Sequence, residues 1–269
     1  MVTMRGTSRA TLEAARERLT GGDAGSREGD ELFAVAALLD AQPTLRRLLT
    51  DPGRAGDERV ALVGGLLRGR ISATAFAVVE QAVRGAWARP RDLADAVEHL
   101  GVVAHVVQAE RDGTLDDVED ELFRFGRLVA GARELRDALS DHRVPAEHRR
   151  RLVTGLLEGR ASQVTVRLVD QAVAGPRGLS LAAALETFAK VAADWRNRLI
   201  ATVRSAVPLT VEQRERLSAT LARQYGHGIR LNLVVEPELI GGVRVEIGDE
   251  VVEGTVSARL DEARRRMAG

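Results

Sequence analysis

Cysteine is absent from this chain of 269 residues, which excludes disulfides, thiol nucleophiles and Cys-ligated metals. Aromatic residues make up only 3%, so a core must be filled by Ala, Val and Leu, a composition suited to closely packed helices. Lysine occurs once, at Lys190, and arginine supplies the remaining positive charge; genome composition accounts for that bias without invoking chemistry. Neither sign of charge is in excess, with 39 basic residues against 39 acidic. A protein that neutralises many phosphates needs a basic excess or stripe. That balance weighs against the alternative reading of the Arg-rich helices as an RNA-binding helical regulatory protein, which would show salt-sensitive affinity for nucleic acid. No apolar run approaches the ~20 residues needed to cross a bilayer, and Met1–Ala10 lacks the apolar core of a signal peptide. The chain is therefore expected to be soluble and cytoplasmic, reaching a membrane only through partners.

Constellations for catalysis are missing as well. The histidines His99, His105, His142, His148 and His227 form no H-E-x-x-H or other ligand spacing. His99 and His105 are six residues apart and point in different directions on a helix. The acidic pairs Asp116-Asp117 and Asp249-Glu250 read as solvated charge. The stretch Gly21–Gly29 has neither G-x-G-x-x-G nor a Walker lysine, and reads as a loop. Arg264-Arg265-Arg266 adjoins Asp261 and Glu262, and complements the end of a helix dipole better than it binds nucleic acid. The expectation is a protein with no catalytic residues, no cofactor and no metal.

What is present is a repeat. Asp30-Glu31-Leu32-Phe33 recurs as Asp120-Glu121-Leu122-Phe123, an offset of 120 − 30 = 90. At that offset 23 of the 56 positions from Asp30 to Gly85 are identical to Asp120–Gly175 without gaps. Each copy reads as helices. Leu62, Val63, Leu66 and Leu67 form one apolar stripe, echoed by Leu152, Val153, Leu156 and Leu157. Gly69 and Gly159 follow where a helix end favours a left-handed residue. The next helix carries Phe76, Val79 and Val83, echoed by Val166, Val169 and Val173. Pro90 suits the first turn of the helix after that. Adding 90 to the first helix, around Leu12–Leu19, lands on Val102–Ala109, inside the last helix of the first copy. One helix is thus expected to serve both copies and to join them rigidly.

From Leu199 the helical period stops. Ala201–Leu209 alternates loosely as a strand, and Thr210 with Gln213 has capping-box spacing for a helix to about Tyr225. Ile229, Leu231, Leu233 and Val235 alternate, as do Val243, Val245 and Ile247 after the paired glycines Gly241-Gly242. Thr255 is expected to start a closing helix with Val256, Leu260, Ala263 and Met267 on one face. The expected fold is mainly α. Two tandem helical-bundle modules, residues 1–110 and 111–199, precede a small α+β domain of order β-α-β-β-α, residues 200–269.

The run Val235-Glu236-Pro237-Glu238-Leu239-Ile240-Gly241-Gly242-Val243-Arg244-Val245-Glu246-Ile247-Gly248-Asp249, continuing through Gly254 to Arg259-Leu260, resembles the C-terminal signature of ATP synthase delta subunits. That family includes the mitochondrial oligomycin-sensitivity-conferring protein. The resemblance extends from about Asp120 to the end; the usual bacterial form has one helical module, whereas this chain has two.

The resemblance implies a non-catalytic stator subunit of the peripheral stalk in a rotary, proton-translocating ATP synthase. It would sit peripherally on the cytoplasmic face of a bacterial cell membrane. Its partners would be the N-terminal helices of the head's alpha subunits and a b-type stalk subunit. The implied docking groove lies between the first and fifth helices of a module. The first copy would present Leu12, Ala15, Leu19, Phe76, Val79 and Val83 to it, and the second Val103, Val106, Val166, Val169 and Val173. In sequence order the second copy occupies the family's ordinary position.

Overall fold

The computed structural model describes residues 4, 6–141, 143–174, 180–198, 200–225, 229–239, 241–248 and 250–255. It divides into two compact units, Met1–Ala192 and Ala193–Gly269. Helices α1 (Thr7–Thr20), α2 (Ser26–Ala41), α3 (Pro43–Leu49), α4 (Gly56–Leu67), α5 (Ala73–Arg84) and α6 (Pro90–Arg111) make up the first copy. Helices α7 (Leu115–Gly131), α8 (Arg133–Ser140), α9 (Ala146–Leu157), α10 (Gln163–Ala174) and α11 (Leu181–Arg198) follow.

The repeat governs helix boundaries. Shifting α4 and α5 by 90 gives the bounds of α9 and α10, and shifting α1 gives 97–110, inside α6. Helix α6 runs unbroken for 22 residues and packs on α1, α2, α3 and α5 on one side of the repeat and on α7 and α10 on the other. Pro90 occupies its first turn, where the missing N–H has no intrahelical partner to lose.

Many of the repeated residues satisfy helix ends, whose backbone groups have no partners within the helix. Glu31 accepts from the Ser72 N–H at 2.8 Å. Glu121 accepts from the Ser162 N–H at 2.9 Å and from the Thr165 hydroxyl at 2.6 Å. Buried Arg59 donates to the carbonyls of Arg84 and Gly85, each at 3.1 Å. Its counterpart Arg149 donates to Val173 O at 2.7 Å and Leu139 O at 3.3 Å. Gly69 and Gly159 adopt φ of 78° and 69° just past α4 and α9, the left-handed conformation that closes a helix.

The expected loop Gly21–Gly29 is shorter than its glycines suggest, because Ser26–Gly29 already belong to α2. Gly29 is there for packing. A Cβ on it would meet the His105 ring at 2.6 Å, and one on Gly101 would meet the Phe33 ring at 2.6 Å. These two glycines let α2 lie against α6. His105 is fully buried, stacked on Phe33 with 5.2 Å between ring centroids, and its Nδ1 lies 3.2 Å from the Ser26 hydroxyl. At the corresponding positions the second copy has Glu119 and Val191. There Phe123 stands 58% exposed, where Phe33 is 7% exposed.

The second unit holds β1 (Ile200–Ser205), α12 (Val211–Tyr225), β2 (Arg230–Val235), β3 (Gly242–Ile247) and β4 (Glu250–Thr255). Thr210 and Gln213 form the expected capping box, at 2.9 and 3.2 Å. The sheet order is β2-β1-β3-β4. Strand β1 is parallel to β2 and antiparallel to β3, and β3 and β4 form a hairpin. Ala201, Val203, Val245 and Ile247 form the buried face with Leu221 and Ile229, and Leu217 and Tyr225 pack against them.

The sequence reading missed β4. Thr255, assigned to a helix start, is the last residue of this strand, and the short exposed run Val251-Val252 pairs with β3 through Glu246 and Val245. The closing helix with Val256, Leu260, Ala263 and Met267 lies outside the described residues. Gly241 and Gly242 have φ of 108° and 85°, and Gly248 has 56° at the β3–β4 turn, which explains glycine at all three. Among the described residues no helix is long and apolar enough to cross a membrane.

Candidate partner-binding surface

Helices α1 and α5 run antiparallel. Thr11 donates to Ala86 O at 2.9 Å, while Gly22, past the other end of α1, lies beside Thr74. Leu12, Ala15, Leu19, Phe76, Val79 and Val83, the residues expected to face a partner, are all buried. They fill the interior that α1 and α5 share with the rest of the bundle. In the second copy Val103, Val106, Val169 and Val173 are buried too, and Val166 is half-buried. The apolar stripes therefore mark the floor and core of each helix pair.

The outward side of the α1–α5 pair is made of other residues. Ala10, Arg18 and Ala73 are exposed, and Ala14, Ala77 and Gln81 are half-buried. Positions 10, 14 and 18, like 73, 77 and 81, are four apart and share a helix face. They are small or polar residues flanking a seam, a pattern that a search for apolar stripes passes over. Small side chains at that spacing allow another helix to approach closely.

At the corresponding place in the second copy, helix α2 lies against α6. Gly25 abuts Gln108, Gly29 abuts His105, and Phe33 sits on Gly101. Asp30 of α2 reaches across to α10, with Oδ2 3.4 Å from Arg167 Nη1 and Oδ1 3.4 Å from His105 Nε2. Burial works against the charged form of Asp30, but the neighbouring His105 ring and the Arg167 guanidinium outweigh it. Its carboxyl is held below the ordinary carboxylate value. Gln171 of α10 donates to Glu98 of α6 at 2.7 Å. A cleft of about 700 Å³ remains beside these contacts, lined by Phe33, Ala37, Asp40, Arg150, Asp170 and Gln171 among others. Burial raises the Asp170 carboxyl above its ordinary value despite the opposing charges of Arg150 and Arg167.

In the second unit, Arg204, Glu236, Arg244 and Glu246 form a charged network. Arg204 contacts Glu236, and Glu246 lies 3.6 Å from Arg204 and 3.2 Å from Arg244. Strand alternation puts Arg204, Arg244 and Glu246 on the side of the sheet away from α12. Leu233 and Val235 on edge strand β2 and Val251 and Val252 on edge strand β4 are exposed. Of the signature residues, Val243, Val245 and Gly254 lie in the β3–β4 ladder, and Leu239 is half-buried in the β2–β3 connection. Asp249, Arg259 and Leu260 are outside the described residues. Among the described residues no group of His, Cys, Asp or Glu could hold a metal ion.

The described residues form a helical repeat with seams between paired helices and, as a separate unit, a small mixed sheet. Residues 103–267 match the family model described as ATP synthase delta (OSCP) subunit. The ATP synthase subunit delta of Kineococcus radiotolerans is 50% identical over 270 residues, covering 98% of each chain. Those of Streptomyces coelicolor and Thermobifida fusca are both 48% identical, over 271 residues (98% of each chain) and 241 residues (90% of each). The chain belongs to the ATP synthase delta (OSCP) subunit family. The family match begins at residue 103, part-way along α6, at the helical segment that the repeat offset equates with α1.

Proposed function

We propose that the chain is the non-catalytic stator adaptor of a rotary, proton-translocating ATP synthase. It ties the catalytic head to a b-type peripheral stalk subunit and resists the torque of the rotor. The observation that carries this reading is the near full-length identity to ATP synthase delta subunits. The fold supports it: a continuous α6 joins the two helical copies, and stiffness is what torque transmission requires.

In this reading the chain works as three parts, residues 1–110, 111–199 and 200–269. The helical part holds N-terminal helices of the alpha subunits by a helix-in-groove mode. The sheet unit grips the stalk through its charged face and its exposed edge strands. The complex places the chain peripherally on the cytoplasmic face of the bacterial membrane. The role needs binding over a standard-sized interface of roughly 1,600 Å² or more, and no chemistry.

Inverted membranes provide the test. Stripping the chain should leave ATP hydrolysis by the head intact while abolishing ATP-driven proton pumping, and adding the purified chain should restore pumping. Full pumping by membranes shown to lack the chain would sink the reading.

A further inference from the structure

The family-matched region begins at residue 103, so it contains α9 and α10 but not α2. The cleft between α2 and α10 therefore needs both copies. Ala34, Ala37 and Ala41 of α2 line one wall, and Arg150, Asp170 and Ala174 line the other. We infer that this inter-copy cleft receives a helix from another subunit of the assembly, which lays small side chains against the alanines and offers a lysine or arginine to Asp170. The inference rests on the stator reading, which supplies the assembly, and adds a site that only a doubled chain can form.

The size fits. Along α2 the lining runs from Asp30 to Ala41, ~16 Å at 1.5 Å per residue, or three helical turns. With its open mouth included, the space between the walls is about 1,360 Å³. A helix of three turns, ~10 Å across, displaces roughly 1,300 Å³. Ala34, Ala37 and Ala41 are exposed and share one face of α2. The module does not need alanine there to fold, because the corresponding positions of α7 are the exposed Arg124, Arg127 and Gly131. Small side chains on a helix face let another helix come close.

The charge of the occupant follows from the repeat. In the first copy Arg84 pairs with Asp57 at 2.5 Å and with Glu80, one turn before it, at 3.1 Å. Shifted by 90, Asp57 and Glu80 become Glu147 and Asp170, while Arg84 becomes Ala174. The second copy keeps both carboxyl groups and lacks the cation between them. Asp170 Oδ1 is buried without a hydrogen-bond donor, a state that an incoming donor relieves. Burial raises this carboxyl above its ordinary value, Arg150 and Arg167 oppose the rise, and Glu147 adds to it. The other two carboxylates of the cleft are paired from within the chain, Asp30 with Arg167 at 3.4 Å and Asp40 with Arg46 at 3.3 Å. Asp170, one turn from Ala174, is where an incoming cation finds both room and a partner.

Because the chain has no cysteine, Ala37→Cys takes a single benzophenone photo-cross-linker, and Ala41→Cys gives a second position on the same wall. Each labelled chain is returned to stripped membranes, proton pumping is confirmed, and cross-linked peptides are sequenced by mass spectrometry after illumination. The expected product joins the label to one segment of another subunit, with a lysine or arginine within about one helical turn of the cross-linked residue. Ala174→Arg, which restores the first copy's own cation, should lower the yield at least fivefold, while Arg127→Ala on α7 leaves it within twofold. Circular dichroism of each variant checks that the helices are retained. Cross-links confined to this chain, or absent, in membranes that pump would overturn the inference and leave the stator reading standing. So would an unchanged yield in Ala174→Arg, or a cross-linked segment without a basic residue. Pumping that does not depend on the unmodified chain would defeat the stator reading, and this inference with it.

Discussion

The two helical copies share helix boundaries to the residue over α4–α5 and α9–α10, yet they treat the same phenylalanine in opposite ways. Phe33 is locked between α2 and α6, and Phe123 stands in solvent on α7. Gly29 and Gly101 allow a close crossing of α2 and α6, and the second copy carries Glu119 and Val191 at the corresponding positions. Duplication preserved what each copy needs to fold, namely the end-satisfying Glu31/Glu121 and Arg59/Arg149 and the leucine core. It relaxed what depends on neighbours. The first copy's α2 lies on α6 and reaches α10 through the Asp30–Arg167 ion pair, so the copies meet there as well as through the shared helix.

The sharpest way to break the comparison is to truncate both aromatics. Phe33→Ala should cost ~3–5 kcal/mol in denaturant unfolding, as removal of a buried aromatic does. Phe123→Ala should stay within about 0.5 kcal/mol, as surface changes do. Equal effects would show that the two environments are alike after all. Converting the first copy toward the second comes next. Gly101→Val should destabilise by about 1–3 kcal/mol through overpacking and push Phe33 outward, read as increased solvent access to its ring by NMR.

A matched pair should instead agree. Arg59→Met and Arg149→Met each remove a buried donor from carbonyls at a helix end, and each should cost about 1–3 kcal/mol. A large cost in only one copy would refute the shared role. The smallest effect concerns pH. The Asp30 carboxyl is held below its ordinary value, so its contribution is present above the ordinary carboxylate range and disappears as pH falls through the folded value. Asp30→Asn should lower stability slightly at neutral pH and flatten the acid limb of a stability–pH curve. An unchanged acid limb would argue against the Asp30 contacts with His105 and Arg167.

Much of this organisation was legible in the sequence. The repeat offset, the left-handed glycines Gly69 and Gly159, Pro90 at a helix start, the capping box at Thr210 and the shared helix all follow from local rules, and the fold has them. Where local rules fell short, tertiary contact decided. Gly29 reads as loop punctuation, but it is a crossing point whose meaning depends on His105, 76 residues away (105 − 29). Strand β4 is short, exposed on Val251-Val252, and leans on β3 for its pairing, so it carries little pattern of its own. The stripes Leu12–Leu19 and Phe76–Val83 were legible as apolar faces. Which side of each helix met solvent was set by how α1 and α5 pack, and the outward side is carried by alanines, Arg18 and Gln81.

The stator reading is tested most directly by co-purification of the tagged full chain from its native membranes, with bound proteins identified by mass spectrometry. The account predicts recovery of alpha, beta and b-type subunits together in one complex, stable through size-exclusion chromatography. Recovery of the chain alone, or with RNA in place of those subunits, would contradict it.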